Sequence, residues 1–101
     1  MVYNKLVRDK IPDIIHHNGG KAEIRILSDE EYRAFLEAKL DEETQEYHQE
    51  KNLEELADIL EVVYALADTV ATREELLRIY QKKHDARGGF EKKILLISSE
   101  K

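Results

Sequence analysis

Three capping motifs divide the middle of the chain into helices, and they constrain the fold more than any other feature of the sequence. In each motif a polar cap residue is followed three positions later by a Glu whose carboxylate can reach back to the cap amide. The three pairs are Ser28 with Glu31, Asn52 with Glu55, and Thr72 with Glu75. These starts predict helices over 29–50, 53–71 and 73–87.

A shorter helix is predicted over 8–18. The sequence Asn18-Gly19-Gly20 is a typical helix end. Pro12 falls within about the first turn, where its missing amide hydrogen disturbs the helix least. The middle and the beginning of the chain are therefore expected to be helical.

Two segments outside these helices have the pattern of strands. Residues 22–27 alternate apolar and polar side chains, and 94–97 form the β-branched, apolar run ILLI. Because an isolated two-stranded ribbon is marginal in water, we expect the two to pair and to lie against the helices. The predicted fold is mainly α: a single domain over 1–101, with a bundle of about four helices and a small two-stranded β-ribbon.

Composition excludes several functional classes. The chain has 101 residues, the size of one domain, and its 22 acidic and 16 basic residues give a net charge of −6, which argues against general binding to nucleic acid or anionic membranes. It has no cysteine, which rules out disulfides and thiolate chemistry. No stretch approaches the ~20 apolar residues of a membrane span, and a signal peptide is not apparent, so a cytoplasmic location is expected.

Four acids form the most informative functional pattern. Glu43 with Glu46, and Glu55 with Asp58, have the i, i+3 spacing that places both members of a pair on one side of a helix. Glu43 also falls within the apolar stripe of its helix, where an unpaired charge is unfavourable. If the two helices are antiparallel, four carboxylates converge, and such a set suits a hard cation such as Mg²⁺.

Each acid also has an ordinary structural explanation. Glu43 and Glu46 could belong to a solvated acidic face with Lys39 as their partner. Glu55 could serve only to complete the capping box that begins at Asn52. Asp58 could be a plain exposed acid. The sequence leaves these alternatives open.

The acidic pairs lie in two motifs that resemble a known family. The pattern K-L-x-E-E-x-x-E at 39–46, followed by E-L-x-D at 55–58, resembles the all-α nucleoside triphosphate pyrophosphatase superfamily, which includes the MazG proteins, dimeric dUTPases and phosphoribosyl-ATP pyrophosphohydrolases. The segments YNKLVRDKIP at 3–12 and KHDARGGFEKKILL at 83–96 look like a branch described as phosphoribosyl-ATP pyrophosphohydrolase-like. The loop between the two acidic motifs is shorter than in typical MazG proteins.

This resemblance implies a metal-dependent hydrolase that acts on nucleotides. By similarity, Glu43, Glu46, Glu55 and Asp58 would hold Mg²⁺, with Mn²⁺ as an alternative. The reaction would be hydrolysis between the α- and β-phosphates, which releases a nucleoside monophosphate and pyrophosphate, and a house-cleaning role on non-standard nucleotides would fit it. Glu43, on the most buried face, is our candidate for the base that accepts the proton of the attacking water.

Cationic side chains are needed to bind the phosphate oxygens of such a substrate. Six candidates stand near the termini or beside the acids: Lys5, Arg8, Lys10, Lys39, Arg87 and Lys92. A chain this short also favours a homodimer or homotetramer. The alternative function is a non-catalytic helical module that senses a nucleotide or binds a partner protein.

Overall fold

The computed structural model describes residues 1–101 and contains four helices. These are α1 (Ile11–His17), α2 (Asp29–Glu50), α3 (Leu53–Val70) and α4 (Arg73–Arg87). The mainly-α class is confirmed, and the three long helices begin where the capping motifs predict. The first helix is shorter than predicted and starts only after Lys10, with Pro12 in its first turn. None of the four helices is both long and apolar enough to cross a membrane.

The three capping motifs differ in how completely they form. At Ser28 both halves are present, since its side chain accepts from the Glu31 amide and the Glu31 carboxylate accepts from the Ser28 amide. The Asn52 side chain accepts from the Glu55 amide at 3.0 Å, but the Asn52 amide does not donate in return to the Glu55 carboxylate. Thr72 likewise binds only the Glu75 amide. The Glu55 carboxylate is therefore free for another role.

The helices α2 and α3 form an antiparallel hairpin, with only Lys51 and Asn52 between them. Lys51 has φ 52° and ψ 43°, a left-handed conformation that ends α2 and turns the chain back on itself. Leu36 of α2 and Val62 of α3 are the two buried apolar residues of the chain. The helix α4 packs against α3, where the Arg73 guanidinium lies 3.7 Å from the centre of the Tyr64 ring.

The predicted β-ribbon is wrong. Residues 22–27 and 94–97 are not in a strand, and no ladder joins them. The first segment is held instead by Arg25, which donates two hydrogen bonds of 3.0 Å to the Glu31 carboxylate of α2. The second projects its apolar side chains into solvent, with Ile97 89% exposed. A two-stranded ribbon needs a surface to pack on, and the single chain offers none to these segments.

Replacing Lys51 by Gly should stabilise the hairpin. A side chain in the left-handed region is strained by about 1–2 kcal/mol, and the greater freedom of Gly in the unfolded chain offsets about 0.5–1 kcal/mol of that relief. We expect Lys51→Gly to raise the free energy of unfolding by about 0.5–1 kcal/mol in urea denaturation. Lys51→Ala, which keeps the strain, is the control and should bring no gain. Equal effects of the two substitutions would show that the turn is unstrained.

Candidate metal centre

Three carboxylates of α2 and α3 meet where the two helices pack. One oxygen each of Glu43, Glu55 and Asp58 lies within 4.8 Å of the others. Glu43 comes from the second half of α2, and the other two come from the first two turns of α3. The two-residue turn brings these parts of the helices side by side. The convergence predicted from the sequence therefore exists for these three acids, which we call the acid cluster.

Glu46, the fourth predicted ligand, lies beside the acid cluster rather than within its 4.8 Å group. It is half-buried, one turn after Glu43. Its carboxylate faces both Glu43 and Glu55 closely enough to influence their protonation.

Two oxygens of the acid cluster are buried without a hydrogen-bond partner: Oε2 of Glu43 and Oε2 of Glu55. Glu43 is only 6% exposed, and its other oxygen lies 3.5 Å from the Lys39 Nζ. Lys39 therefore is a partner of Glu43, as the alternative explanation proposed, but it leaves half of the carboxylate unsatisfied. A buried carboxylate oxygen without a hydrogen-bond partner is unfavourable by several kcal/mol in general when the group is charged.

The surroundings of the acid cluster oppose the charged forms of two of its members. Burial, followed by the nearby charge of Glu46, raises the pKa of Glu43 above its ordinary value of 4.5. The pKa of Glu55 is also raised, first by burial and then by the charges of Glu46 and Asp58. Repulsion among the acids and loss of water act in the same direction. A cation among these oxygens would reduce the repulsion between the acids and would compensate the charged carboxylates for the water they have lost.

Three of the six predicted cations lie around the acid cluster. Arg8 donates from Nη2 to the Asp58 Oδ1 at 2.6 Å. The Lys5 Nζ lies 2.6 Å from the Glu42 Oε1, and the Lys39 Nζ lies 3.3 Å from the other oxygen of Glu42. Because Lys5 contacts α2 and Arg8 contacts α3, the N-terminal segment crosses the hairpin beside the acids.

The other three predicted cations do not join this group. Lys10, Arg87 and Lys92 are exposed and form no ion pair. Lys10 precedes α1, Arg87 ends α4, and Lys92 lies in the turn that follows. Within the single chain, nothing connects them to the acids.

Two acids that were not among the predicted site residues, Glu42 and Glu61, complete the arrangement. Glu42 holds Lys5 and Lys39, and Glu61 lies 3.5 Å from the Arg8 Nη1. The i, i+3 spacing of Lys39 with Glu42 was a signal for the first. Glu61 is i+3 from Asp58, but its partner Arg8 is about fifty residues away in the sequence, so no local pattern indicates the contact.

Comparisons with known proteins are sparse. No family model matches the chain, and no solved structure is significantly similar to it. A protein of Mycolicibacterium smegmatis, described only as uncharacterized, is 57% identical over 42 residues, which are 42% of this chain and 43% of that protein. The matched stretch thus spans less than half of the relative. The similarity assigns neither a family nor an activity.

The raised pKa of Glu43 predicts how stability depends on pH in the absence of divalent cations. The folded protein holds the Glu43 proton more tightly than the unfolded chain does. The resulting stabilisation is complete below the ordinary value of 4.5 and is lost as the pH rises through the folded-state pKa. We therefore expect Glu43→Gln, which is neutral at every pH, to raise the melting temperature at pH 7 in EDTA and to reduce the gain seen on acidification.

The matched control is Glu37→Gln, an exposed acid of the same helix. It should leave both the melting temperature and its pH dependence nearly unchanged. A lower melting temperature for Glu43→Gln at pH 7 would mean that the contact with Lys39 outweighs the burial of the charge.

Proposed function

We propose that this protein is a Mg²⁺-dependent nucleoside triphosphate pyrophosphohydrolase. It would cleave between the α- and β-phosphates and release a nucleoside monophosphate and pyrophosphate. The observation that carries the proposal is the buried, unpartnered Glu43 Oε2 beside the oxygens of Glu55 and Asp58. The motif resemblance at 39–46 and 55–58 supplies the reaction class.

The dimensions of the acid cluster suit a divalent cation. Oxygens on opposite sides of one Mg²⁺ lie about 4.1 Å apart, and those on one Ca²⁺ lie up to about 5 Å apart. The oxygens of Glu43, Glu55 and Asp58 lie within 4.8 Å of one another, so the side chains would move closer together to bind one Mg²⁺. Only oxygen donors are present, which favours Mg²⁺ or Mn²⁺ over softer metals. When bound, the ion would neutralise phosphate charge and make the attacking water more acidic.

The side chains around the acid cluster have separate roles in the proposed reaction. Glu43 would accept a proton from the water whose oxygen attacks the α-phosphorus. The bond between that phosphorus and the bridging oxygen would then break, and pyrophosphate would leave with its charge balanced by Lys5, Arg8 and Lys39. These three cations lie beside the acids already, held by Glu42, Asp58 and Glu61.

Arg8 has a position of particular interest because its partner Asp58 is one of the proposed metal ligands. Asp58 can give its oxygen either to the guanidinium or to a metal ion, and the two compete. An Arg8 side chain released from Asp58 remains tethered beside the site by the contact of Lys5 with α2. It is then suited to a bidentate contact with phosphate oxygens.

A second candidate function is a non-catalytic module that binds a nucleotide as a sensor. The observation that favours it is the same Arg8–Asp58 pair, because it shows that Asp58 can be satisfied without a metal. The two functions differ in a simple observation: the sensor would bind a triphosphate without releasing pyrophosphate.

The enzyme proposal predicts metal-dependent turnover on a panel of nucleoside triphosphates. Pyrophosphate release with Mg²⁺ should fall by at least about 100-fold in Glu43→Gln and in Asp58→Asn, since each loses a group proposed to act directly. Circular dichroism should show unchanged helix content. Glu54→Gln, an exposed acid on the first turn of α3, is the control and should keep full activity. Full turnover in either site variant would refute the assignment, while nucleotide binding without any turnover would favour the sensor.

Because Arg8 and a metal ion would compete for Asp58, removing the Arg8 side chain should strengthen metal binding and weaken binding of the triphosphate. Arg8 is about half exposed, so its pair with Asp58 is worth at most about 1 kcal/mol. Arg8→Ala should therefore tighten Mn²⁺ binding about 2- to 5-fold in calorimetric titration and should raise KM for the triphosphate. Lys21→Ala, an exposed cation without an ion pair, should change neither. Weaker Mn²⁺ binding in Arg8→Ala would mean that Arg8 supports the metal site instead of competing for it.

A further inference from the structure

The first ten residues, which we call the N-terminal arm, are held to the α2–α3 hairpin mainly by ion pairs. Within the N-terminal arm only Leu6 is half-buried, and the other residues are exposed. The helix α1 that follows packs on none of the other three helices. The position of the N-terminal arm therefore depends on Lys5, which contacts α2, and on Arg8, which contacts α3.

The Arg8 guanidinium bridges two acids that lie one turn apart on α3. Its Nη2 donates to the Asp58 Oδ1 at 2.6 Å, and its Nη1 forms an ion pair of 3.5 Å with the Glu61 Oε1. The i, i+3 spacing puts both carboxylates on one side of the helix, where their like charges repel and a shared cation is stabilising. Asp58 is thus the main partner of Arg8, and Glu61 is a second one.

Only one of these two partners belongs to the acid cluster. Asp58 is a proposed metal ligand, whereas Glu61 lies outside the group of oxygens within 4.8 Å of one another. The Glu61 side chain is 58% exposed, compared with 39% for Asp58, so it is more open to solvent. Arg8 is the one cation that contacts Glu61. A metal ion on the acid cluster would therefore leave Glu61 with its charge and with its partner.

A divalent cation on Asp58 would change the balance between the two contacts of Arg8. The ion would take the Asp58 oxygens and would also repel the guanidinium, because both are positive. The contact of Lys5 with Glu42 would still tether the N-terminal arm to α2, but a half-exposed ion pair shifts an equilibrium only about 5-fold at most. That is a weak tether for a segment that must give up its conformational freedom to stay in place. A second anchor on α3 is needed to keep Arg8 beside the site.

We propose that Glu61 is a positioning residue that holds Arg8, and with it the N-terminal arm, on α3 when a metal ion occupies Asp58. The guanidinium turns from Asp58 toward Glu61, which it already contacts through its other amino group. Its Nη2 group is then free to donate to phosphate oxygens. This inference rests on the proposed function, since it needs a metal ion on Asp58, and it gives a role to an acid that lies outside both sequence motifs.

The test is the mobility of the N-terminal arm, measured by electron paramagnetic resonance at low salt. The chain has no cysteine, so Val7→Cys, at an exposed position, provides a single site for a nitroxide label. With Glu61 intact, the label should be equally ordered in EDTA and in saturating Mg²⁺. Glu61→Gln should leave the label ordered in EDTA, where Asp58 still holds Arg8. In Mg²⁺ the same substitution should raise the mobile fraction of the label about 2- to 5-fold.

The control is Glu54→Gln, an exposed acid of α3 without an ion pair, which should change the label in neither condition. A purely structural effect of Glu61→Gln would raise the mobility equally with and without Mg²⁺, and that result would contradict the proposal. Two further results would overturn it: release of the N-terminal arm by Mg²⁺ while Glu61 is intact, and an ordered label in Glu61→Gln after calorimetry shows bound Mg²⁺. A large loss of Mg²⁺ affinity in Glu61→Gln would make Glu61 a metal ligand instead.

A pair of variants tests the same anchor without metal. In EDTA, Asp58→Ala removes the partner that a metal ion would otherwise occupy, and Glu61 should still keep the label ordered. Asp58→Ala/Glu61→Gln removes both partners of Arg8 and should raise the mobile fraction of the label. Absence of Mg²⁺ binding to the natural chain would refute the proposed function and the exchange of partners with it. A mobile label in Asp58→Ala alone would refute the anchor at Glu61 and leave the proposed function standing.

Discussion

The burial of Glu43 between α2 and α3 is the constraint on which the rest of the site depends. An antiparallel hairpin with a two-residue turn fixes which turns of the two helices meet. That geometry puts the Glu43 carboxylate at the same level as Glu55 and Asp58, where solvent cannot satisfy all of its oxygens. A sequence selected only for stability would place an apolar residue there. The acid at this position is what the proposed metal site would require.

The cations around the acid cluster offset part of its negative charge but do not neutralise it. Lys39 and Arg8 each contact one acid of the cluster, yet the Oε2 atoms of Glu43 and Glu55 have no hydrogen-bond partner. Cations that fully neutralised the acids would remove the affinity for a metal, whereas cations at the edge can bind an anionic substrate beside it. The arrangement thus combines a negative centre with a positive border, which is the pattern that the proposed binding of Mg²⁺ and a polyphosphate would need.

The sequence was a good guide wherever local interactions decide the structure. The caps at Ser28, Asn52 and Thr72 begin α2, α3 and α4 because each satisfies amides within a single turn. The ribbon prediction failed because alternation along 22–27 indicates an extended backbone but does not supply a pairing partner. The contact of Arg8 with Asp58 and Glu61 was not predictable, because it depends on how an irregular segment crosses two helices.

Glu55 belongs to two sequence patterns: the capping motif that begins at Asn52 and the acidic pair with Asp58. Only the second explains where its carboxylate lies. The spacing of the capping motif predicts that the Glu55 carboxylate returns to the Asn52 amide, but only the Asn52 side chain makes its bond. In the position that Glu55 takes instead, burial and then the charges of Glu46 and Asp58 raise its pKa. The capping bond, about 1 kcal/mol in general, was available and is not formed. The Glu55 carboxylate lies instead where α2 and α3 pack, beside Glu43 and Asp58, so the shape of the acid cluster depends on how these two helices pack.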